Sequence, residues 1–333
     1  MHRGGSARRV PVGYAARRHA PARSRLPMRN LTLRGLRVFE AAATTGGFSR
    51  AGELMGMSQS AVSQQIRQLE DELGARLFDT LARPIRLTDA GAELLRHTRV
   101  ILAQVGVAED ALTTLDGHYR GQLHVAVVSP GQYFVPRLLA SFRQQHPDLR
   151  LKLTQGRRDH LLALLAERQI DLLIGGYPPA EADVEAEVFA RHPHCIIAAP
   201  GHRLVARSQI AWAELGDDTF IFREAGSATR AFLEHLLQMQ RLQVRADIEM
   251  QGPEAVKAAV TAGMGISFAS AHTFQSELAA GRIAVLDVQE MPKQLDWCLL
   301  TRRDTPLSGS QRLLRDHVLA HGAQAAACRL QNG

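Results

Sequence analysis

The sequence has few features of a secreted or membrane protein. Its 333 residues include only three cysteines, Cys195, Cys298 and Cys328, and these are isolated from one another. No apolar run reaches the roughly 18 residues that a membrane-spanning helix needs, and no apolar segment of a secretion signal follows the basic N-terminus. Isolated cysteines in apolar segments are typical of buried thiols in a reducing compartment. We therefore expect a cytoplasmic protein with no membrane partner.

Catalytic and metal-binding motifs are also absent. The fourteen histidines form no HExxH motif and no Cys/His spacing for a metal, and there is no nucleophile elbow. We interpret His192 and His194 as an exposed strand edge, because a histidine pair without further ligands rarely binds a metal. The glycines within 262–266 lack the complete GxGxxG pattern of a dinucleotide site. The sequence thus predicts no enzyme, no metal and no cofactor.

The positive charge of the chain is concentrated at its N-terminus. The formal net charge is +7, and residues 1–27 contain seven arginines and no acidic residue, so the remainder is formally neutral. Residues 1–28 are rich in Arg, Ala, Pro and Gly, which predicts a disordered basic tail. Met28 offers an internal start, and we interpret the tail as an over-extended start. A targeting peptide and a basic arm that binds phosphates are the alternatives.

Residues 29–88 have the pattern of a helix-turn-helix followed by a wing. An apolar helical stripe over 32–45 ends at two glycines, and glycine readily adopts the left-handed conformation that ends a helix. Ser49 is expected to begin a second, two-turn helix and Ser58 a third, with Gly56 in the turn between them. The segment from Leu77 to Leu87 predicts a short hairpin whose arginines follow DNA phosphates.

The exposed face of the third helix carries residues that can read DNA. Val62, Ile66 and Leu69 recur at helical spacing and must face inward, which leaves glutamine, serine and arginine side chains outside. Glutamine can bond adenine edges and arginine can bond guanine in the major groove. An ordinary solvated helix face remains the alternative from these residues alone.

The run SQSAVSQQIRQLEDELGARLF, followed by LTDAG, closely resembles the signature of LysR-type transcriptional regulators. The resemblance implies a winged helix-turn-helix, a long linker helix, and an α/β effector domain with two lobes, similar to periplasmic solute-binding proteins of type 2. It also implies that the third helix is the recognition helix, and that the first helix and the wing contact phosphates. The candidate DNA-binding residues are Arg34, Gln59, Ser60, Ser63, Gln64, Arg67, Arg83 and Arg86.

Residues 89–118 predict a long helix that pairs with a second copy. Apolar residues alternate in steps of four and three from Leu94 to Leu115, with Thr98 and Ala108 weakening the stripe. The alternative is a surface helix packed on its own domain. The resemblance implies a homodimer, assembled further into a homotetramer, that binds partly palindromic double-stranded DNA and contacts RNA polymerase.

Residues 119–325 alternate between short apolar strands and helices, which predicts βαβ units and a mainly parallel sheet. Two such blocks predict two lobes. Lobe 1 is expected to comprise about 119–190 and 293–325, and lobe 2 about 191–292, with the ligand between them.

Strand ends and helix starts within these blocks supply the candidate effector site. Open α/β sheets bind ligands beyond the carboxyl ends of their strands, and helix N-termini offer unpaired amides to anions. The segment REAGSATR resembles the family's REPGSGTR, which faces the cleft. The candidate effector-binding residues are Ser129, Gly131, Gln132, Arg157, Arg158, Gly175, Ser227 and Thr229. For Arg157 and Arg158 the alternative is a solvated pair, and for Ser227 and Thr229 it is helix capping.

Three further segments, LHVAVVSPGQYFVPRLLASFRQQHPDLRLKL, IDLLIGGYPPAEADVEAEVFARHPH and EAVKAAVTAGMGISFASAHTF, resemble the CbbR-like regulators of Calvin-cycle and RuBisCO operons. That resemblance implies a carbon-fixation operon as target and a phosphorylated metabolite, a carboxylate or NADPH as effector. A LysR-type regulator of another metabolic operon is the alternative. A solute-binding protein and an enzyme with an acquired DNA-binding module are the alternatives from other classes.

Overall fold

The computed structural model describes residues 31–79, 85–115, 119, 121–328 and 330. The described chain divides into two compact units, one ending at Leu95 and the other beginning at Arg96. The predicted basic tail of residues 1–28 lies outside the described residues, and so does Arg83 of the predicted wing. None of the helices in the described ranges combines the length and the apolarity that a membrane crossing requires.

The first unit is a helix-turn-helix with a short hairpin. Its elements are α1 (Leu33–Thr45), α2 (Phe48–Met55), α3 (Gln59–Leu73), β1 (Phe78–Asp79) and β2 (Arg86–Leu87), and β1 pairs antiparallel with β2. Thr32 and Ser58 cap α1 and α3 through their side chains, as the sequence predicts for Ser58. Ser49 does not cap α2, which corrects the prediction, because the helix starts earlier and Gly47 occupies the capping position.

The turn between α2 and α3 depends on two glycines. Gly56 ends α2 in the left-handed conformation at φ 63°, where a side chain would be strained. A Cβ on Gly52 would lie 2.6 Å from the carbonyl oxygen of Met57, so this helix face must remain bare for the chain to turn. The two glycines thus allow the tight turn that brings α3 against α2. The buried Val62, Ile66 and Leu69 of α3 then pack into the core of the unit.

Glu70 connects α3 to the hairpin through hydrogen bonds. Its side chain is 6% exposed, and Oε1 accepts hydrogen bonds from the backbone amides of Leu77 at 2.7 Å and Phe78 at 3.3 Å. Oε2 accepts a hydrogen bond from Arg76 at 2.8 Å. A buried carboxylate is tolerated where several donors surround it. Glu70 therefore fixes the direction in which the chain leaves α3.

Helix α4 (Asp89–Leu115) is one continuous helix of 27 residues that continues from the first unit into the second. Of the predicted stripe, Thr98 is buried, while Ile101 and Leu112 are 38% and 67% exposed. The neighbouring Arg99 is buried and pairs with Glu167 of the second unit at 2.9 Å. One face of α4 is thus engaged within the second unit, and two large apolar side chains of the stripe remain exposed in the single chain.

The second unit has two lobes built on a mixed sheet. Its strands are β3 (Gly121–Val128), β4 (Leu149–Gly156), β5 (Leu172–Gly175), β6 (Val184–Ala198), β7 (Thr219–Arg223), β8 (Arg245–Met250), β9 (Ser267–Ser270), β10 (Ala284–Val285) and β11 (Lys293–Arg302). Its remaining helices are α5 (Val135–Gln145), α6 (Arg158–Ala166), α7 (Ala228–Met239), α8 (Gly252–Thr261), α9 (Gln275–Ala279) and α10 (Gly309–Ala325).

Strand direction differs from the prediction of a mainly parallel sheet. Strands β3, β4 and β5 are parallel, but β11 is antiparallel to both β5 and β6, and β6 is antiparallel to β9 and β10. The sheet order is β10-β6-β11-β5-β3-β4, with β9 also on β6, while β7 and β8 form a parallel pair. The long β6 runs from one lobe into the other, and the return strand β11 beside it makes the sheet mixed.

Both lobes are three-layered, with apolar side chains on each face of the sheet. In lobe 1, alternate residues Leu123, Val125 and Val127 of β3 pack with α5 and α10, whereas Ala126 on the other face packs with α6. In lobe 2, Ile196 of β6 packs toward α7 while Ile197 packs toward α8. This two-residue alternation is the expected pattern of a strand covered on both faces.

Candidate functional site

The outer face of α3 carries the predicted DNA-reading residues. Gln59, Ser60, Gln64 and Arg67 are exposed and Ser63 is half-buried. The cap at Ser58 is completed by a hydrogen bond from the Ala61 amide at 3.2 Å. Gln59 and Ser60 are thus exposed on the N-terminal turn of α3, the part of the helix that enters the groove in helix-turn-helix proteins.

Arg34, Arg83 and Arg86 were predicted to contact phosphates, and Arg83 lies outside the described residues. Arg34 at the start of α1 and Arg86 on β2 are both exposed, and exposed arginines suit phosphate contacts. On α3, Arg67 bonds back to Ser63 through its carbonyl oxygen at 3.3 Å and its hydroxyl at 3.2 Å. Within the described residues, the predicted DNA-reading face therefore offers hydrogen-bonding groups and positive charge.

A cavity of about 280 Å³ lies between the two lobes of the second unit. Lobe 1 contributes the ends of β3 and β4 and the start of α6, and lobe 2 contributes the segment from Arg223 into α7. Strands β6 and β11, which join the lobes, provide the floor through His192, His194, Leu295 and Asp296. We call this cavity the effector cleft, because the sequence predicts the effector between the two lobes.

One end of the effector cleft is suited to an anion. Arg157 and Arg158 line it from lobe 1, and Ser227, Ala228 and Thr229 line it from lobe 2 at the N-terminus of α7. Ser227 occupies the capping position of α7, but its side chain makes no capping hydrogen bond. The first amides of a helix carry partial positive charge and lack intrahelical acceptors. Guanidinium groups and helix amides thus converge on this end.

Arg157 reaches across the cleft to the opposite lobe. A Cβ on Gly226 would lie 2.1 Å from Nη2 of Arg157, and Gly226 has φ +82°, which favours glycine. The guanidinium of Arg157 also pairs with Asp159 at 3.1 Å, with both side chains more than half exposed. Arg158 donates to the carbonyl oxygen of Tyr177 at 3.2 Å. Gly226 therefore provides the space in which Arg157 can bridge the lobes.

The charge of Arg223 is already matched within lobe 2. Its guanidinium makes two hydrogen bonds of 2.8 Å to the carboxylate of Glu224, and Glu224 also accepts from the Gly252 amide at 3.0 Å. The bond from Arg223 is the main reason that the pKa of Glu224 falls to about 2. This pair is positioned before α7 as an ion pair, so the positive charge offered to a ligand comes chiefly from Arg157 and Arg158.

The floor of the effector cleft contains two buried histidines. His192 and His194 on β6 are 6% and 2% exposed. His192 stacks on Trp297 with ring centroids 4.0 Å apart, and His194 stacks on Phe268 at 5.1 Å. Burial lowers the pKa of His192 well below its ordinary value and that of His194 to about 4. The prediction that these histidines form an exposed strand edge is therefore wrong.

A second contact joins the lobes beside the cleft. The hydroxyl of Tyr133, in the turn after β3, donates to the carboxylate of Glu254 on α8. Lys257 pairs with Glu254 and with Glu277, at 3.1 Å each, and lies 5.2 Å from the centre of the Tyr133 ring. Burial and the bond to Glu254 raise the pKa of the Tyr133 hydroxyl, which remains a donor. The hydrogen bond between Tyr133 and Glu254 thus holds the two lobes together at this edge of the cleft.

The structure brings together five of the eight candidate effector residues. Ser129, Arg157, Arg158, Ser227 and Thr229 line the effector cleft. The other three candidates, which are Gly131, Gln132 and Gly175, are not among its lining residues. Gly131 is packed against Val127 and Gly175 is buried within β5.

Sequence reasoning missed much of the floor and of the aromatic lining. His192, His194, Arg223, Glu224 and Phe232 all line the cleft but were not candidates. Arg223 and Glu224 could have been found, because they open the same REAGSATR segment that gave Ser227 and Thr229. The histidines gave no such signal. Their burial depends on partners distant in sequence, such as Trp297 and Ser270.

Comparison with known protein families gives two matches that together span most of the chain. The model of the LysR substrate binding domain matches residues 116–323. The model of the bacterial regulatory helix-turn-helix protein, lysR family, matches residues 33–92. The first match covers the part of the chain that contains the cleft, and the second covers the helix-turn-helix with the predicted DNA-reading face.

The chain is also similar to individual proteins of known sequence or structure. The RuBisCO operon transcriptional regulator of Allochromatium vinosum is 40% identical over 301 residues, which is 90% of this chain and 99% of the relative. The regulatory domain of CcmR from Synechocystis PCC6803, solved in complex with 2-PG, is 33% identical with a TM-score of 0.59 over 60% of this chain and 97% of that one. A full-length OxyR variant from Pseudomonas aeruginosa is 22% identical, with a TM-score of 0.74 over 90% of this chain and 97% of its own, and shares the fold.

Proposed function

Since the chain belongs to the LysR family of bacterial helix-turn-helix regulators, we propose that it controls a carbon-fixation operon in response to a small anionic metabolite bound in the effector cleft. The observation that carries the proposal is the convergence of Arg157, Arg158 and the open N-terminus of α7 at one end of that cleft. The regulator class explains why a DNA-reading face and an anion site occur in one chain.

Similarity to a named regulator supports carbon fixation as the target. The Allochromatium relative is described as a RuBisCO operon regulator, and it aligns with nearly its whole length. A LysR-type regulator of another metabolic operon is the competing assignment. The two are distinguished by the genes that adjoin the bound DNA site.

Size and charge favour a ligand of few carbons. The effector cleft of about 280 Å³ is at or below the roughly 300 Å³ lower limit for sites that enclose drug-sized ligands. A phosphorylated metabolite or a carboxylate therefore suits the cleft better than NADPH does. CcmR from Synechocystis was solved with 2-PG, and we place a comparably small anion in the cleft of this chain.

The proposed mechanism is closure of the lobes around the anion. An anion held by Arg157 and Arg158 from lobe 1 and by the α7 amides from lobe 2 is attracted to both lobes at once. Its binding would favour conformations in which these groups are close. Strands β6 and β11 connect the lobes, so closure bends the floor on which His192 and His194 lie.

We also propose the partners that this mechanism needs. Exposed Ile101 and Leu112 on α4 are available to a second copy of the chain, so a homodimer, and beyond it a homotetramer, would present paired recognition helices to partly palindromic double-stranded DNA. Regulation of transcription in the cytoplasm would then involve RNA polymerase at the adjoining promoter.

Calorimetric titration of the full-length protein with inorganic phosphate and with 3-phosphoglycerate tests the anion site. We expect both anions to bind, and Arg157→Gln to weaken them by about tenfold, the order lost with one charge-assisted hydrogen bond. Arg143→Gln is the matched control, since Arg143 is an exposed arginine on α5 that does not line the cleft. Binding that is equally strong in both variants would contradict this site.

A further inference from the structure

The two histidines of the cleft floor are not used by the anion site. They lie on β6, the strand that joins the lobes, whereas the positive groups lie at the starts of α6 and α7 on the lobes themselves. Buried polar groups that face a cavity must either be satisfied by the protein or remain for a ligand. The hydrogen bonds around each ring determine which kind of ligand group the floor can accept.

His194 has its donor nitrogen occupied by the protein. Nδ1 lies 3.1 Å from the carbonyl oxygen of His192, and a carbonyl oxygen can only accept, so Nδ1 carries the hydrogen. Burial keeps the ring neutral by lowering its pKa to about 4. A neutral imidazole has one N–H. Nε2 of His194 is therefore an acceptor, and no residue in the described ranges donates to it.

His192 is bonded within the protein through its Nε2. This nitrogen lies 2.8 Å from the hydroxyl oxygen of Ser270, and the same hydroxyl lies 3.4 Å from Nδ1 of His272. Burial keeps His192 neutral as well, because it lowers the pKa well below the ordinary value. Of the two histidines, His194 is therefore the one whose cleft-facing nitrogen the geometry fixes as an acceptor.

The floor of the effector cleft is therefore rich in acceptors, while its end is rich in donors. Asp296, which also lines the floor, adds a carboxylate that already accepts a bond from Arg191 at 2.9 Å. A ligand oxygen without hydrogen would face lone pairs at His194 and leave that nitrogen unsatisfied. A ligand hydroxyl would donate to it.

We propose that the effector cleft is specific for small anions that carry a hydroxyl group, with the anionic group at the Arg157 end and the hydroxyl donating to Nε2 of His194. This inference rests on the proposed function, because it specifies the ligand of the same anion site. The ligand class is a hydroxylated phosphate or hydroxylated carboxylate of few carbons. Anions of the same size and charge that lack a hydroxyl bind more weakly.

Pairs of ligands that differ in one hydroxyl test the inference on the unaltered full-length protein. 3-Phosphoglycerate is compared with 3-(phosphonooxy)propanoate, and glycerol 3-phosphate with 3-hydroxypropyl phosphate and propyl phosphate, by calorimetry at pH 7.5. In at least one series the hydroxylated anion is expected to bind about tenfold or more tightly, the effect of leaving a buried acceptor unpaired. Equal affinity within both series would overturn the inference.

Two variants assign the preference to His194. His194→Phe keeps an aromatic ring to stack on Phe268 but has no acceptor, so the hydroxyl preference is expected to fall to about twofold or less. His194→Gln retains an acceptor oxygen and is expected to keep part of the preference. A full preference in His194→Phe would overturn the role of His194, and the ligand pairs above decide the specificity even if this variant fails to fold.

The failures of the two proposals are distinguishable. If inorganic phosphate and all the organic anions fail to bind, the proposed anion site is wrong and the inference falls with it. If the anions bind and respond to Arg157→Gln but show no hydroxyl preference, only the inference is wrong.

Discussion

Replacing His194 by glutamine should make the stability of the second unit less sensitive to acid. His194 is buried in the folded chain, where burial first and the nearby His272 second lower its pKa from 6.5 to about 4. In the unfolded chain its pKa returns to the ordinary value. Acid therefore protonates His194 in the unfolded state while the folded state resists protonation.

The sign and size of the effect follow from this difference in pKa. A histidine whose pKa is lowered by folding has little effect on the free energy of unfolding above pH 6.5. As the pH falls from 6.5 toward about 4, it lowers that free energy progressively. Between pH 7 and pH 5, proton linkage with these two pKa values lowers the free energy of unfolding by about 2 kcal/mol. His194→Gln has no group to titrate and should lose about 2 kcal/mol less over this range.

Tryptophan fluorescence makes the measurement specific to the second unit. The chain has two tryptophans, Trp212 and Trp297, and both are buried there. Urea unfolding curves of the full-length protein and of His194→Gln at pH 7, 6 and 5 give the free energies to compare. His235→Gln is the control, because His235 is an exposed histidine on α7 and its removal should leave the acid dependence unchanged. Identical pH dependence of His194→Gln and the unaltered protein would refute the neutral, buried state of His194.

Three further substitutions probe other parts of the account. Gly226→Ala should weaken phosphate binding by about tenfold, because the added Cβ would lie 2.1 Å from Nη2 of Arg157 and displace that guanidinium. Calorimetry measures the loss. Glu70→Gln should lower the stability of the first unit by about 1–2 kcal/mol, since the carboxylate bonds the Leu77 amide and Arg76, and thermal unfolding followed by circular dichroism measures it. Arg86→Ala should reduce the slope of log affinity against log salt by about 0.9 on any DNA sequence, as measured by fluorescence anisotropy.

Matched controls separate these effects from general damage. Gly281→Ala adds the same methyl group at a glycine that also has a positive φ, +64°, and where nothing lies within 4 Å, so phosphate affinity should not change. Glu53→Gln removes the same charge from an exposed position on α2, and stability should change little. If Arg86→Ala leaves the slope of log affinity against log salt unaltered, Arg86 of the wing does not contact DNA phosphates.

The sequence was most informative where local signals agree. Ser58, the apolar spacing of Val62, Ile66 and Leu69, and the glycines around them predicted α3 and its exposed face. Ser49 misled because the helix begins at Phe48, whose ring packs edge-on against Phe78 at 5.4 Å. This contact joins residues that are distant in sequence, so a local capping pattern does not encode it.

The floor of the cleft could not be predicted from local patterns. Pro193 between the two histidines suggested a strand edge, yet β6 continues through it for 15 residues and pairs there with Gln294 of β11. The burial of His192 depends on Trp297 and Ser270, which are distant in sequence. The antiparallel course of β11 likewise follows from the connection between lobes, which no single segment encodes.

The most direct test of the central claim is a footprint of the full-length protein on the DNA adjoining its own gene, with and without 3-phosphoglycerate, beside Arg157→Gln. The account predicts a specific two-part footprint whose extent changes with the anion in the unaltered protein, and a footprint that is present but unresponsive in Arg157→Gln. A specific footprint that responds equally in both proteins, or the absence of any specific footprint, would contradict it.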